Sequence, residues 1–210
     1  LEEHLPVAFA PWSARPAAQA PAAQSATRPR WIAVEDDEAV LELAVYVPVA
    51  LGDAQAEARA RVVAAALDER VAEIRDRLGA AYFAAAALDD DPMGASLDLA
   101  ANVDPAQAGP AAAIMATALA ELRAGTLSPA LIARARGRAI RLLHHRMAGD
   151  DFDEDVSGWL RRGLPVDHGA AVAAAIAGLS DDPLALATTV SAGQVGIVRG
   201  PSPAVTAALA

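Results

Sequence analysis

The chain has 210 residues, is 54% hydrophobic, carries a formal net charge of −10 and contains no cysteine. Such a composition supports a sizeable core, and it excludes global disorder, disulfides and thiolate metal sites. The negative charge argues against nucleic-acid binding, and no run reaches the ~20 apolar residues of a helical membrane span.

Aromatic residues make up only 4% of the chain, and all 17 basic residues are arginine. The alanine, proline and glycine load suggests a GC-rich bacterial genome, and a cytoplasmic location is the expectation. Leu1 is not followed by a basic-then-apolar leader, and the chain reads as a fragment of something longer. Alanine abundance predicts a core of close helix contacts rather than large rings.

Residues 1–30 place Pro6, Pro11, Pro16, Pro21 and Pro29 among alanines and glutamines, which reads as a semi-extended linker. Trp31–Val34 is β-like. After an acidic turn at Glu35–Glu38, Leu41, Leu43, Val45 and Val47 alternate, so the two runs predict a hairpin that ends near Pro48. From Gln55 to Leu78, the apolar residues Val63, Leu67, Val71, Ile74 and Leu78 make one helical stripe, with Gly79 placed to end it.

Tyr82–Leu88 and Ala95–Val103 predict a second hairpin across the polar turn Asp89–Gly94. The pairs Asp104-Pro105, Ser128-Pro129 and Asp182-Pro183 each put an N-cap side chain before a helix-initiating proline. They predict helices at about 105–123, 129–147 and 183–192. Two further helical patterns cover 152–162 and 166–179, Val195–Val198 returns as a strand, and 201–210 is a tail. The fold class is α+β. It is a two-layer α/β sandwich, an antiparallel-rich sheet with long helices packed on one face.

Phosphate-cradling glycine loops and a serine-hydrolase elbow are absent. His144 and His145 are adjacent, so on a helix they diverge by about 100° and cannot readily chelate one ion; charge at a helix end is the simpler account. Arg134, Arg138 and Arg141 share one helix face, which could grip an acidic partner but reads more simply as solvated. Asp150, Asp151, Asp153, Glu154 and Asp155 lack calcium-loop spacing and suit a helix start.

One segment stands apart: Ile74, Arg75, Asp76, Arg77, Leu78 and Gly79 close a long helix, and Tyr82 opens the next strand. On physical grounds alone Arg75 compensates the helix dipole and Tyr82 is a half-buried strand aromatic. The segment is also similar to the Ile-Arg-Glu-x-x-Gly-x-x-Tyr signature in the C-terminal, zinc-less domains of pitrilysin/insulinase-type metallopeptidases. That family includes mitochondrial processing peptidase, and its order of elements fits from about Trp31 to Val198.

The resemblance implies a mitochondrial processing peptidase-like metallohydrolase fold and one half of a clamshell. It implies that Tyr82 donates its phenol proton to the oxyanion and that Arg75 orients tyrosine or substrate. Zinc would sit on an inverted His-x-x-Glu-His helix of a partner domain or subunit, with a peptide as substrate. No such motif occurs here, so the chain is expected to hold no cofactor and to be inactive alone. Phe83 departs from the serine that commonly follows the family tyrosine. Members that have lost zinc act as structural or substrate-holding partners, which is the alternative reading. A half-clamshell also leaves a face open to homo-oligomer formation.

Overall fold

The computed structural model describes residues 30–35, 41–79, 81–91, 94–149, 152–190 and 193–209. The expected linker at 1–30 and acidic turn at 35–38 fall almost wholly outside these residues.

Five strands form one sheet: β1 Arg30–Glu35, β2 Leu41–Val49, β3 Ala81–Asp91, β4 Gly94–Val103 and β5 Val195–Gly200. Their order is β1-β5-β2-β4-β3. β5 runs parallel to β1 and antiparallel to β2, and the other pairs are antiparallel. β3 and β4 form the expected hairpin, with Leu88 opposite Leu97.

The expected β1–β2 hairpin is corrected: β5 lies between the two strands. Val195, Ile197 and Val198 give β5 apolar side chains on both faces, and an inner position pairs its backbone on both sides. β2 also runs past Pro48 to Val49, beyond its last pair with β5 at Tyr46.

Strand alternation sets the core. Leu41, Leu43, Val45 and Val47 of β2 are buried, as are Leu97, Leu99, Ala101 and Val103 of β4, and the register pairs them on one face. Helix α1, Ala54–Val71, packs against β3 and β4 on that face. Ala72 then separates it from α2, Glu73–Leu78, where one continuous helix to Leu78 was expected. The Arg75 N–H bonds to the Ala72 carbonyl three residues back at 3.0 Å, a tightened turn that interrupts the α-helical ladder.

The second half supplies α3 Ala108–Ala124, α4 Pro129–Met147, α5 Phe152–Arg161, α6 His168–Gly178 and α7 Pro183–Ala187. The three expected caps form. Asp104 accepts from Ala106 N at 2.9 Å, Ser128 from Leu131 N at 3.2 Å and Asp182 from Leu184 N at 3.0 Å. α7 stops at Ala187 rather than near 192, where β-branched residues follow and Val190 bridges to Val49.

The expected tail contains a last helix, α8, Ser202–Leu209. Val205 is buried there, α8 packs on β1 and β5, and Ser202 donates to Glu35 at 2.8 Å. α4 and α6 pack on α1, so its middle is buried well beyond the single predicted stripe. Ala58, Ala60, Ala64, Ala65 and Ala66 are all buried, and their small side chains permit this close approach.

Gly79 ends α2 in the left-handed region at φ 64°, its N–H bonding to the Arg75 carbonyl at 3.1 Å. A Cβ there would meet nothing within 4 Å. Gly79→Ala is therefore expected to cost only the conformational penalty, about 1 kcal/mol, read from the urea midpoint. A loss above about 3 kcal/mol would mean that the turn carries packing as well.

Candidate active-site face

After Gly79 the chain reverses into β3, which is an edge strand. Ala81 lies opposite Val103 while Phe83 lies opposite Asn102, so Tyr82 is the extra residue of a β-bulge. A bulge breaks alternation and re-aims side chains. In consequence both Tyr82 and Phe83 are exposed, Tyr82 at 90% rather than half-buried.

Arg75 stands in the last turn of α2 with its side chain 57% exposed, and its nearest acidic partner is Asp76 at 4.0 Å. Its neighbour Arg77 is paired with Glu73 at 3.1 Å. No hydrogen bond joins Arg75 to Tyr82 among the described residues. Both predicted residues are thus solvent-facing and close in sequence, and neither serves the core.

The face of the sheet opposite α1 begins beside Tyr82. The register aligns Ala85, Ala100, Ala44, Ile197 and Ile32 in one row across all five strands. Ile32 is half exposed. Polar groups border the row. Burial, with Asp98 and Glu42 nearby, pushes the Tyr46 phenol up. Burial also raises Asp98, reinforced by Asp89 and opposed by its hydrogen bond from Ser96.

A second cluster was invisible in the sequence. Glu57 on α1 is fully buried, and its carboxylate meets Arg61 at 2.7 Å, His168 Nε2 at 3.0 Å and Arg162 at 3.6 Å. Arg162 also faces Asp90 of β3 at 3.2 Å, and the Trp159 ring sits edge-on to His168. Glu57 and His168 are 111 residues apart, so no motif spacing could announce them. With both side chains buried, the cluster ties α1, β3 and α6 together and cannot meet a substrate.

Of the charged groups singled out in the sequence, Asp150 and Asp151 lie outside the described residues. Arg134 pairs with Glu69 and Arg138 with Asp68, which links α4 to α1, while Arg134, Arg138 and Arg141 all stay exposed, as the solvated-face reading expected. Arg146 pairs with Asp155, and Asp153 and Glu154 occupy the first turn of α5. His144 and His145 are exposed in the last turn of α4. Among the described residues no group of three or more His, Cys, Asp or Glu is placed to hold a metal ion. No described helix is long and apolar enough to cross a membrane.

No protein-family model matches the chain, and no curated protein sequence does. Solved structures share its fold. The first half of the periplasmic protease PqqL from Escherichia coli matches with a TM-score of 0.66 at 14% identity, over 99% of this chain and 50% of that one. A peptidase M16 inactive domain from Pseudomonas fluorescens matches at 0.65 and 13%, over 83% and 44%. Pitrilysin matches at 0.58 and 16%, over 82% and 19%. The chain spans half or less of each of these proteins. The likeness is one of fold, and the expected α+β fold, an antiparallel-rich sheet with helices packed on it, is borne out.

The buried cluster makes a prediction with a definite sign. Burial raises the Glu57 carboxyl, but Arg61, His168 and Arg162 outweigh it and hold the group below its ordinary value. A carboxylate depressed by folding stabilises above its unfolded pKa, and the gain is lost as pH falls through the folded value. Asp90, raised by burial against the pull of Arg162, acts in the opposite sense. Glu57→Gln should cost about 3–5 kcal/mol at pH 7, chiefly by leaving Arg61 without its counter-charge, since Arg162 keeps Asp90. It should also flatten the loss of stability expected of the unaltered chain as pH falls below the ordinary value of 4.5. Urea unfolding at pH 7 and pH 4 reads both, and an unchanged acid slope would place the effect elsewhere.

Proposed function

We propose that the chain is a zinc-less half-module of a pitrilysin/insulinase-type metallopeptidase, contributing Arg75 and Tyr82 to a site completed by another domain or subunit. The observation that carries this reading is Tyr82. Among the described residues it stands on a bulged edge strand, 90% exposed, with no hydrogen-bond partner for its phenol and no packing duty. The chain's likeness to half of a larger peptidase supports the same reading.

In this role the Tyr82 hydroxyl donates to the carbonyl oxygen of a bound peptide as negative charge develops on it. Arg75, one turn before Gly79, neutralises or orients the substrate backbone. Zinc and the attacking water belong to the other half, on a His-x-x-Glu-His segment that this sequence lacks. This stretch of chain paired only with itself would lack those residues, so the working partner is a zinc-bearing domain or subunit.

The likeness to a peptidase M16 inactive domain favours a second reading, in which the chain encloses substrate or holds a complex together without taking part in chemistry. Phe83, standing where the family commonly has serine, points the same way.

Tyr82→Phe in the assembly reconstituted with its zinc-bearing half separates the two. Loss of one oxyanion donor predicts a fall in kcat of about 10²–10³ with KM little changed. A rate within about twofold of the unaltered assembly would favour the non-catalytic reading.

A further inference from the structure

Among the described residues β3 is an edge strand, so one side of its backbone has no neighbouring strand there. At Ala86 that side is occupied by a side chain from the helical layer. The backbone N–H of Ala86 donates to Oδ1 of Asp68, on α1, at 2.9 Å. The second oxygen of the same carboxylate pairs with Arg138 of α4. Asp68 is only 15% exposed, so its charge lies in a partly desolvated place and the arginine offsets the cost. A chain of contacts thus runs from α4 through α1 to the backbone of β3, four residues after Tyr82.

We propose that Asp68 is a positioning residue for Tyr82, fixing the bulged start of β3 from its unpaired side. The argument is mechanical. β4 holds β3 by ladder hydrogen bonds on one side only, and the register is already irregular between Ala81 and Phe83. An irregular end can rock about the ladder unless its outer side is also held. Gly79 fixes the chain before Tyr82 through its left-handed turn, and Asp68 fixes it after.

The alanines of β3 gain a purpose from the same geometry. An aspartate side chain is short, and it reaches a strand backbone only where helix and strand lie close together. Ala84 and Ala86, on the core-facing side of β3, allow that approach. Two carboxylate oxygens are needed for two tasks, one for the amide and one for the guanidinium. Asparagine can still accept from Ala86, but it loses the charge that holds Arg138.

The proposal takes its purpose from the proposed role of Tyr82, but its test needs no catalysis. The chain has two tyrosines, so ring-labelled tyrosine gives two signals by NMR, and Tyr82→Phe assigns them. In Asp68→Ala, amide exchange at Ala86 should rise at least tenfold. The Tyr82 ring and amide signals should shift or broaden while those of Tyr46 stay in place. Asp68→Asn should restore most of the Ala86 protection and the Tyr82 signals, and Arg138→Met should give an intermediate result.

Faster exchange at Ala86 with Tyr82 unmoved would overturn the proposal and leave Asp68 a purely structural cap. Should Asp68→Ala fail to fold, Asp68→Ser, too short to reach the Ala86 N–H, decides in its place, and unchanged Tyr82 signals in that variant would overturn it. Neither outcome depends on whether Tyr82→Phe alters the rate of a reconstituted peptidase.

Discussion

Almost everything in this molecule depends on one helix lying close across two strands. α1 packs on β3 and β4 with one face and receives α4 and α6 on others, so it is the shared wall of the sheet and the helical layer. Burial of Val62, Val63, Leu67 and Val71 supplies the hydrophobic gain, about 1.5–3 kcal/mol for each large side chain fully removed from water. The interspersed alanines set the spacing. Because α1 is largely enclosed, its three carboxylates find partners within the fold. Glu57 meets Arg61 and His168, Asp68 meets Ala86 and Arg138, and Glu69 meets Arg134.

That enclosure decides which face can work. The side of the sheet against α1 forms the core, and two arginines of α4, Arg134 and Arg138, pair with α1. Among the described residues, the large apolar side chains left exposed on the sheet are Ile32 on the opposite face and Tyr82 and Phe83 at the bulged corner. A binding reading built on the arginine helix loses ground, since Arg134 and Arg138 already hold acidic partners inside the chain.

Local signals were legible in the sequence because local physics produced them. The caps at Asp104, Ser128 and Asp182, the left-handed end at Gly79 and the β3–β4 hairpin each depend on a few consecutive residues. Non-local choices were not legible. Nothing between Trp31 and Val49 reveals that a strand from residues 195–200 will separate β1 from β2. The Glu57–His168 pair, held together only by the finished packing, is equally silent. The positions of Arg75 and Tyr82 could be read from a motif, but the bulge that turns Tyr82 outward could not, since it arises from a register slip against β4.

We propose that the Tyr82 corner and the sheet face beside it form the working surface. Hydrogen–deuterium exchange on the chain, alone and joined to a zinc-bearing half with a slowly cleaved peptide, decides the matter. Binding there should add protection in residues 75–86 and 98–102 and leave α4 unchanged. Protection confined to the exposed side of α4, with the Tyr82 corner exchanging as in the free chain, would refute it.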